Sequence, residues 1–209
     1  MPPRSRTVLL ATNNQGKVGE YVALLKGLPF ELTTLDREGI EVEVSETGAT
    51  YEENATLKAT TYASLSHLVS LADDSGLEVE ALGGEPGPKA ARYAGEGATD
   101  ESRIRYLLSK LASVPWQKRK AYFKCVIAIA NPEGIVELCY GECKGIITFE
   151  PKGEGGFGYD PIFYLPELRK TMAELSLDEK NKISHRAQAA RVARQVLERL
   201  IGECGDRTF

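Results

Sequence analysis

Leu71-Ala72-Asp73-Asp74-Ser75-Gly76-Leu77 is the stretch on which the reading of this chain turns. An apolar run, Leu68 to Ala72, has the composition of a short buried strand. It passes directly into two adjacent carboxylates, then Ser-Gly, then a second strand-like run from Leu77 to Leu82. Acids at the end of a buried strand stand at the lip of a sheet, where α/β proteins place ligands. Neighbouring acids repel each other, and a Mg²⁺ ion, which prefers oxygen donors, would compensate them. Asp, Ser and Gly are also turn formers, so the tetrapeptide taken alone favours a turn. Other segments change that balance.

On the N-terminal side, Thr7 to Ala11 reads as a first buried strand. Polar Thr12-Asn13-Asn14-Gln15-Gly16-Lys17 follows, then a helix with Val18, Tyr21, Val22, Leu24 and Leu25 at helical spacing. Unpaired N–H groups at a helix start, with a lysine beside them, make a phosphate seat. The glycine spacing is not that of a P-loop, and a capped loop with a solvated lysine accounts for the segment equally well. Phe30 to Leu35 reads as a second strand. Ile40-Glu41-Val42-Glu43-Val44 alternates like a half-exposed strand, which explains Glu41 and Glu43 but not Glu46, a candidate metal ligand. Thr50-Tyr51-Glu52-Glu53 fits a capping box opening a helix to about Ser66. Asn54 and Lys58 share a face of that helix, as surface residues or as residues turned into a site.

Beyond the acids, Gly83 to Gly97 is a loop that supplies Arg92, and Thr99 opens a helix with Ile104, Leu107, Leu108 and Leu111 inward. Tyr122 to Ala130, Ile135 to Glu142 and Gly145 to Phe149 read as a three-stranded meander, so the sheet is mixed. In Gly155-Gly156-Phe157-Gly158-Tyr159-Asp160-Pro161, glycines permit close approach to a ligand. The Phe ring offers a stacking face, or else the aromatics plug the core. Thr171 to Asn181 is charged and part helical. Ser184 reads as the N-cap of a last helix to about Leu200. His185 and Arg186 in its first turn oppose the helix dipole unless an anion or electron-rich ligand faces them.

Composition sets bounds. The chain has 209 residues, 42% hydrophobic and 27% charged, as ordinary globular domains have. A net charge of −4 argues against general nucleic-acid binding. No apolar run approaches the roughly 20 residues of a membrane span, and Met1 to Arg6 precede no signal-peptide core. Cys139 and Cys143, on one strand, would stand about 13 Å apart, too far for a disulfide. With Cys125 and Cys204 they read as free thiols of a reducing cytoplasm. His67 and His185 make no zinc spacing.

Taken jointly, Thr12-x-Asn14-x-x-Lys17, Tyr51-x-Glu53-Asn54-Ala55, Ala72-Asp73-Asp74-Ser75-Gly76-Leu77, Gly83-Gly84-x-Pro86-Gly87, Ala91-Arg92-Tyr93, Gly155 to Pro161 and Ser184-His185-Arg186 resemble one family. It is the inosine/xanthosine triphosphate pyrophosphatases, and the resemblance runs from Leu9 to Leu200. It implies a single two-lobed α/β domain over residues 1–209, with a long twisted mixed β-sheet flanked by helices and the active site in the cleft between lobes. It implies a Mg²⁺-dependent homodimer that cuts ITP, dITP and XTP between the α- and β-phosphates. Thr12, Asn13, Asn14, Gln15, Gly16 and Lys17 would hold the triphosphate. Asp74 would be proton acceptor and metal ligand, and Ser75 would touch the substrate. Phe157, Gly158, Tyr159, Asp160, Lys180, His185 and Arg186 would surround the nucleotide. Many relatives have two acids before Thr47-Gly48, where this chain has Ser45-Glu46, which makes Glu46 the candidate second metal ligand. Ala90 stands where the family often has Ser. Two other functions fit parts of the pattern: a nucleotide sensor without hydrolysis, which would not need the acids, and a pyrophosphatase for other modified nucleotides. The Asp-x-Asp of haloacid-dehalogenase phosphatases is absent.

Overall fold

The computed structural model describes residues 7–205, with side chains through residue 200. Met1 to Arg6 and the Cys204 thiol lie outside the described residues. Five helices, α1 (Gln15–Leu24), α2 (Tyr51–Ser66), α3 (Asp100–Lys110), α4 (Leu177–Ile183) and α5 (His185–Gly205), accompany eight strands. The strands are β1 (Thr7–Leu10), β2 (Glu31–Thr34), β3 (Val69–Val79), β4 (Pro86–Gly87), β5 (Lys120–Ala130), β6 (Val136–Ile147), β7 (Phe163–Leu165) and β8 (Lys170–Thr171). They form one sheet in the order β2-β1-β3-β5-β6-β7-β8, with β4 paired to β3. β1 is parallel to β2 and β3, while β4 on β3, β7 on β6 and β8 on β7 are antiparallel. The expected mixed α/β sheet is therefore present.

The chain divides into two compact units, residues 1–74, 125–141 and 188–209, and residues 75–124 and 142–187. In the first, strand alternation sorts the core into two layers. Val8, Leu10, Leu71, Cys125, Ile127 and Ile129 pack with Tyr21 of α1 and Ala189, Ala193 and Leu197 of α5. Their neighbours Leu9, Ala11, Ala72, Val126, Ala128 and Ala130 pack with Ala55, Ala59 and Tyr62 of α2. The small side chains of α2 let its backbone lie close to the sheet. In the second unit Ile104, Leu107 and Leu111 of α3 pack with Leu77, Val79, Phe123, Ile147 and Phe163. Arg119, buried there, donates to the carbonyls of Leu111, Val114, Ile147 and Thr148.

Three strand expectations are corrected. Asp73 and Asp74 do not end a strand: β3 runs unbroken from Val69 to Val79. Pairing overrides the turn-forming tendency of Ser75 and Gly76: β5 lies along one edge of β3, while on the other β1 pairs as far as Leu71 and β4 at Leu77 and Glu78. Glu80–Leu82 is a 3-10 turn. Second, β6 is one strand from Val136 to Ile147, not two. Gly145 is no boundary: a Cβ there would come within 2.6 Å of the Phe163 ring, so it marks the close approach of β7. Third, residues 40–44 form no strand. Their polar groups instead meet a side chain, with Val44 N–H donating to the Tyr62 hydroxyl and that hydroxyl donating to Val42 C=O.

Candidate active site

On β3 successive side chains point to opposite faces, and this separates the two acids. Asp73 falls on the layer of α1 and α5, and Lys17 of α1 meets its Oδ1 at 3.0 Å. The Cys125 thiol donates to Asp73 Oδ2 at 3.8 Å and lies 3.8 Å from the Tyr21 hydroxyl. Asp74 falls on the layer of α2, where the Asn54 amide donates to its Oδ2 at 2.9 Å. The mutual repulsion expected of adjacent acids is thus relieved by geometry, each finding its own partner.

Asn54 and Lys58 are buried residues, not surface ones. The Lys58 ammonium donates to Glu46 at 2.5 Å and to the Asp73 carbonyl at 2.6 Å. Burial works against its charge, yet Asp73, Glu46 and Asp74 together hold it above the ordinary lysine value. Burial above all, with Glu46, pushes the Asp74 carboxyl up against the pull of Lys58, Asn54 and Lys17, to a net value of about 6. The capping of α2 differs slightly from the box in the sequence. Thr50 Oγ1 accepts from Glu53 N–H at 3.2 Å, but the Glu53 carboxylate takes Ala49 N–H.

At the start of α1, Asn14 is the N-cap and its side chain accepts from Lys17 N–H at 3.1 Å. Thr12 Oγ1 accepts from Asn14 N–H at 3.2 Å. Asn13 to Gly16 are exposed, so the helix start stands open to solvent.

The second unit holds the other predicted residues. Asp160 is buried and its Oδ2 accepts from Phe157 N–H at 3.0 Å and from the Lys180 ammonium at 2.5 Å. Gly156, with φ +71°, is required here: a Cβ would come within 2.0 Å of that oxygen. The Phe157 ring is half-buried, with the Lys180 ammonium 4.9 Å and the Arg186 guanidinium 5.4 Å from its centre. Arg186 is buried and donates to Ser75 Oγ at 3.0 Å. Ser184 Oγ accepts from Ala187 N–H, as an N-cap does. His185 is stacked on Phe123, with ring centres 4.8 Å apart. Tyr159 is core, its hydroxyl donating to Ala90 C=O at 3.0 Å. Asp100, absent from the sequence-based set, accepts from Gly158 N–H at 2.6 Å. In sequence it looked like an ordinary first-turn acid of α3.

Among the described residues no three or more His, Cys, Asp and Glu gather as a metal cluster. Mg²⁺ is commonly held by one or two carboxylates, with phosphates and waters completing the shell. A pair such as Asp74 and Glu46, near enough for Glu46 to raise Asp74, therefore suits it. No helix among the described residues is long and apolar enough to cross a membrane.

Fold and side chains define a class: an α/β protein with an open helix start and lysines beside buried acids in one unit, and cations gathered on an aromatic ring in the other. The chain belongs to the Ham1 family, whose model matches residues 8–196. It is 48% identical to a dITP/XTP pyrophosphatase of Desulforamulus reducens, over 92% of this chain and 96% of that one. It is 50% identical to a dITP/XTP pyrophosphatase of Geobacter sulfurreducens, over 87% of this chain and 92% of that one. Among solved structures, a HAM1 protein from Coxiella burnetii matches with a TM-score of 0.84 and 42% identity, covering 91% of this chain and 98% of that one.

Proposed function

We propose that this protein hydrolyses deaminated purine nucleoside triphosphates, ITP, dITP and XTP, to the monophosphate and pyrophosphate. The names of its relatives support the activity, and Asp74 is the observation that carries the chemistry. Burial raises this carboxyl to about 6 without metal; beside Mg²⁺ it would be ionised at neutral pH and able to accept a proton from water. In this reading Asp74 takes the proton of the attacking water at Oδ1 while Asn54 holds Oδ2. Asp74 and Glu46 would hold Mg²⁺, which would supply charge neutralisation on the polyphosphate. Lys17 moves from Asp73 to the phosphates, and the N–H groups opening α1, with Thr12 and Asn14 shaping the loop, receive the tail. Lys58 keeps Glu46 in place and offsets the charge of the acids.

Phe157 stacks on the base without reading it. Arg186 carries only donors, so it pairs with the 6-oxo group of hypoxanthine or xanthine and not with the 6-amino group of adenine. Lys180 and Asp160 hold the Phe157 loop. His185 acts by packing on Phe123 and orienting the start of α5. The family resemblance also brings a homodimer and a cytoplasmic location, the latter consistent with buried Cys125, Cys139 and Cys143, which form no disulfide among the described residues.

The test is turnover of ITP, dITP, XTP, GTP and ATP with Mg²⁺ in ¹⁸O water. The expected result is pyrophosphate release with label in the monophosphate, marking attack at the α-phosphorus. Label in orthophosphate would identify a phosphatase, and tight binding without turnover a sensor.

A further inference from the structure

Asn54, Lys58 and Tyr62 are spaced four apart and form a row along α2. All three reach the segment 42–48, which has no regular secondary structure. Asn54 Oδ1 accepts from Gly48 N–H at 2.8 Å, and Lys58 donates to Glu46 at 2.5 Å. The Tyr62 hydroxyl donates to Val42 C=O at 2.9 Å and accepts from Val44 N–H at 3.3 Å. Asn54 and Lys58 are already part of the proposed chemistry; Tyr62 is not. Its ring is buried in the α2 core layer, so its hydroxyl is delivered from a fixed position.

From this geometry we infer that Tyr62 is a positioning residue for Glu46, fixing residues 42–44 so that the carboxylate two residues on arrives already placed for a divalent cation. This rests on the assignment of Glu46 as a metal-binding carboxylate made above. A segment without a strand partner has its backbone groups held by side chains or water. One hydroxyl that both donates and accepts ties two of those groups to α2. Without it the segment samples more conformations, and metal binding must bear the cost of ordering it.

Tyr62→Phe keeps the ring and removes only the hydroxyl. The measurement is Mn²⁺ titration of the substrate-free protein by calorimetry, alongside melting temperature and the Mg²⁺ dependence of turnover. Tyr62→Phe should weaken Mn²⁺ binding about three- to tenfold, the scale of a lost hydrogen bond. It should leave kcat at saturating Mg²⁺ at the wild-type value. Glu46→Gln should also weaken Mn²⁺ binding, and adding Tyr62→Phe to it should change the affinity no further. Unaltered Mn²⁺ affinity in Tyr62→Phe, whatever its melting temperature, overturns the inference. So does the same loss in the Glu46→Gln background, which would mean that Tyr62 acts elsewhere. If Glu46→Gln itself leaves Mn²⁺ affinity untouched, the ligand assignment falls and this inference with it. Hydrolysis, judged by the nucleotide panel, would be unaffected by that result.

Discussion

In the unit that carries Asp73 and Asp74, buried acids face lysines; in the unit that carries Phe157, lysine and arginine face an aromatic ring. Each unit also holds a buried aspartate, and the two differ in their partners. Asp160 Oδ2 accepts from both Lys180 and a backbone N–H, and the carboxylate ties down a loop. Asp74 has an amide on one oxygen and a carboxyl raised to about 6. A carboxylate held by an ammonium stays ionised, whereas burial beside a neutral amide favours the protonated form. The cations differ too. A contact between a cation and a ring face is worth about 0.5–2 kcal/mol, weak enough for a base to displace at small cost.

The sharpest way to break this contrast is Asp74→Asn. An amide is no base and a poorer Mg²⁺ ligand, so kcat should fall roughly a hundredfold to ten-thousandfold, with the fold retained by circular dichroism. Turnover near the wild-type value at saturating Mg²⁺ would place the base elsewhere.

Lys17→Ala should come next. Triphosphate affinity should drop about tenfold to a hundredfold, on the scale of a lost charge-assisted bond of roughly 1.5–3 kcal/mol. Nucleoside affinity should stay level, and equal losses for both would mean that Lys17 acts on the fold through Asp73.

Arg186→Ala probes the other unit and should cut the ITP-to-ATP ratio of kcat/KM about tenfold, mainly by losing ITP, since one mismatched buried hydrogen bond costs roughly 1–3 kcal/mol. An unchanged ratio would remove Arg186 from base recognition while leaving hydrolysis intact. The loss of its Ser75 contact should show as a modest stability change in the same variant.

The smallest effect is on stability and concerns the metal-free protein. The folded Asp74 keeps its proton to about pH 6, whereas the ordinary value is 3.8. Between those values the folded state binds more protons, so this contribution is fully present below about pH 4 and is lost as pH rises through 6. Denaturant unfolding should show stability declining with pH over that window. Asp74→Asn should flatten it, making the inactive variant the more stable one at pH 8. Saturating Mg²⁺ should flatten it as well.

Much of this was legible in the sequence. The Thr50 and Ser184 caps, the helical spacing in α3 and the strand at Tyr122 to Ala130 are local signals, and they produced the elements expected. Three strand limits were not legible because they depend on partners. Whether Ser75-Gly76 turns or extends is decided by the neighbouring strands of β3, whether Gly145 starts a strand is decided by Phe163, and residues 40–44 alternate with no strand to pair. The site was readable as a set of residues but not as a set of contacts. Two adjacent letters, Asp73 and Asp74, gave no hint that one belongs to α1 and the other to α2 until β3 was known to continue through them. Asp100 and Tyr62 carried no signal at all, since a first-turn acid and a core tyrosine are commonplace.

The continuity of β3 also governs which changes of length the chain can bear. Because side chains alternate along it, one residue inserted before Asp73 would turn every later residue over. Asp73 would then face α2 and Asp74 would face α1, exchanging the carboxylate that takes a proton for the one that holds a lysine. The same slip would drive Leu77 and Val79 out of the core in which they are wholly buried. Substitution within Val69–Val79 can be graded, residue by residue, but insertion or deletion cannot. The stretch should therefore drift in composition while its length stays frozen, whereas the irregular segment around residue 40 can lengthen or shorten so long as Tyr62 still finds two backbone groups to hold.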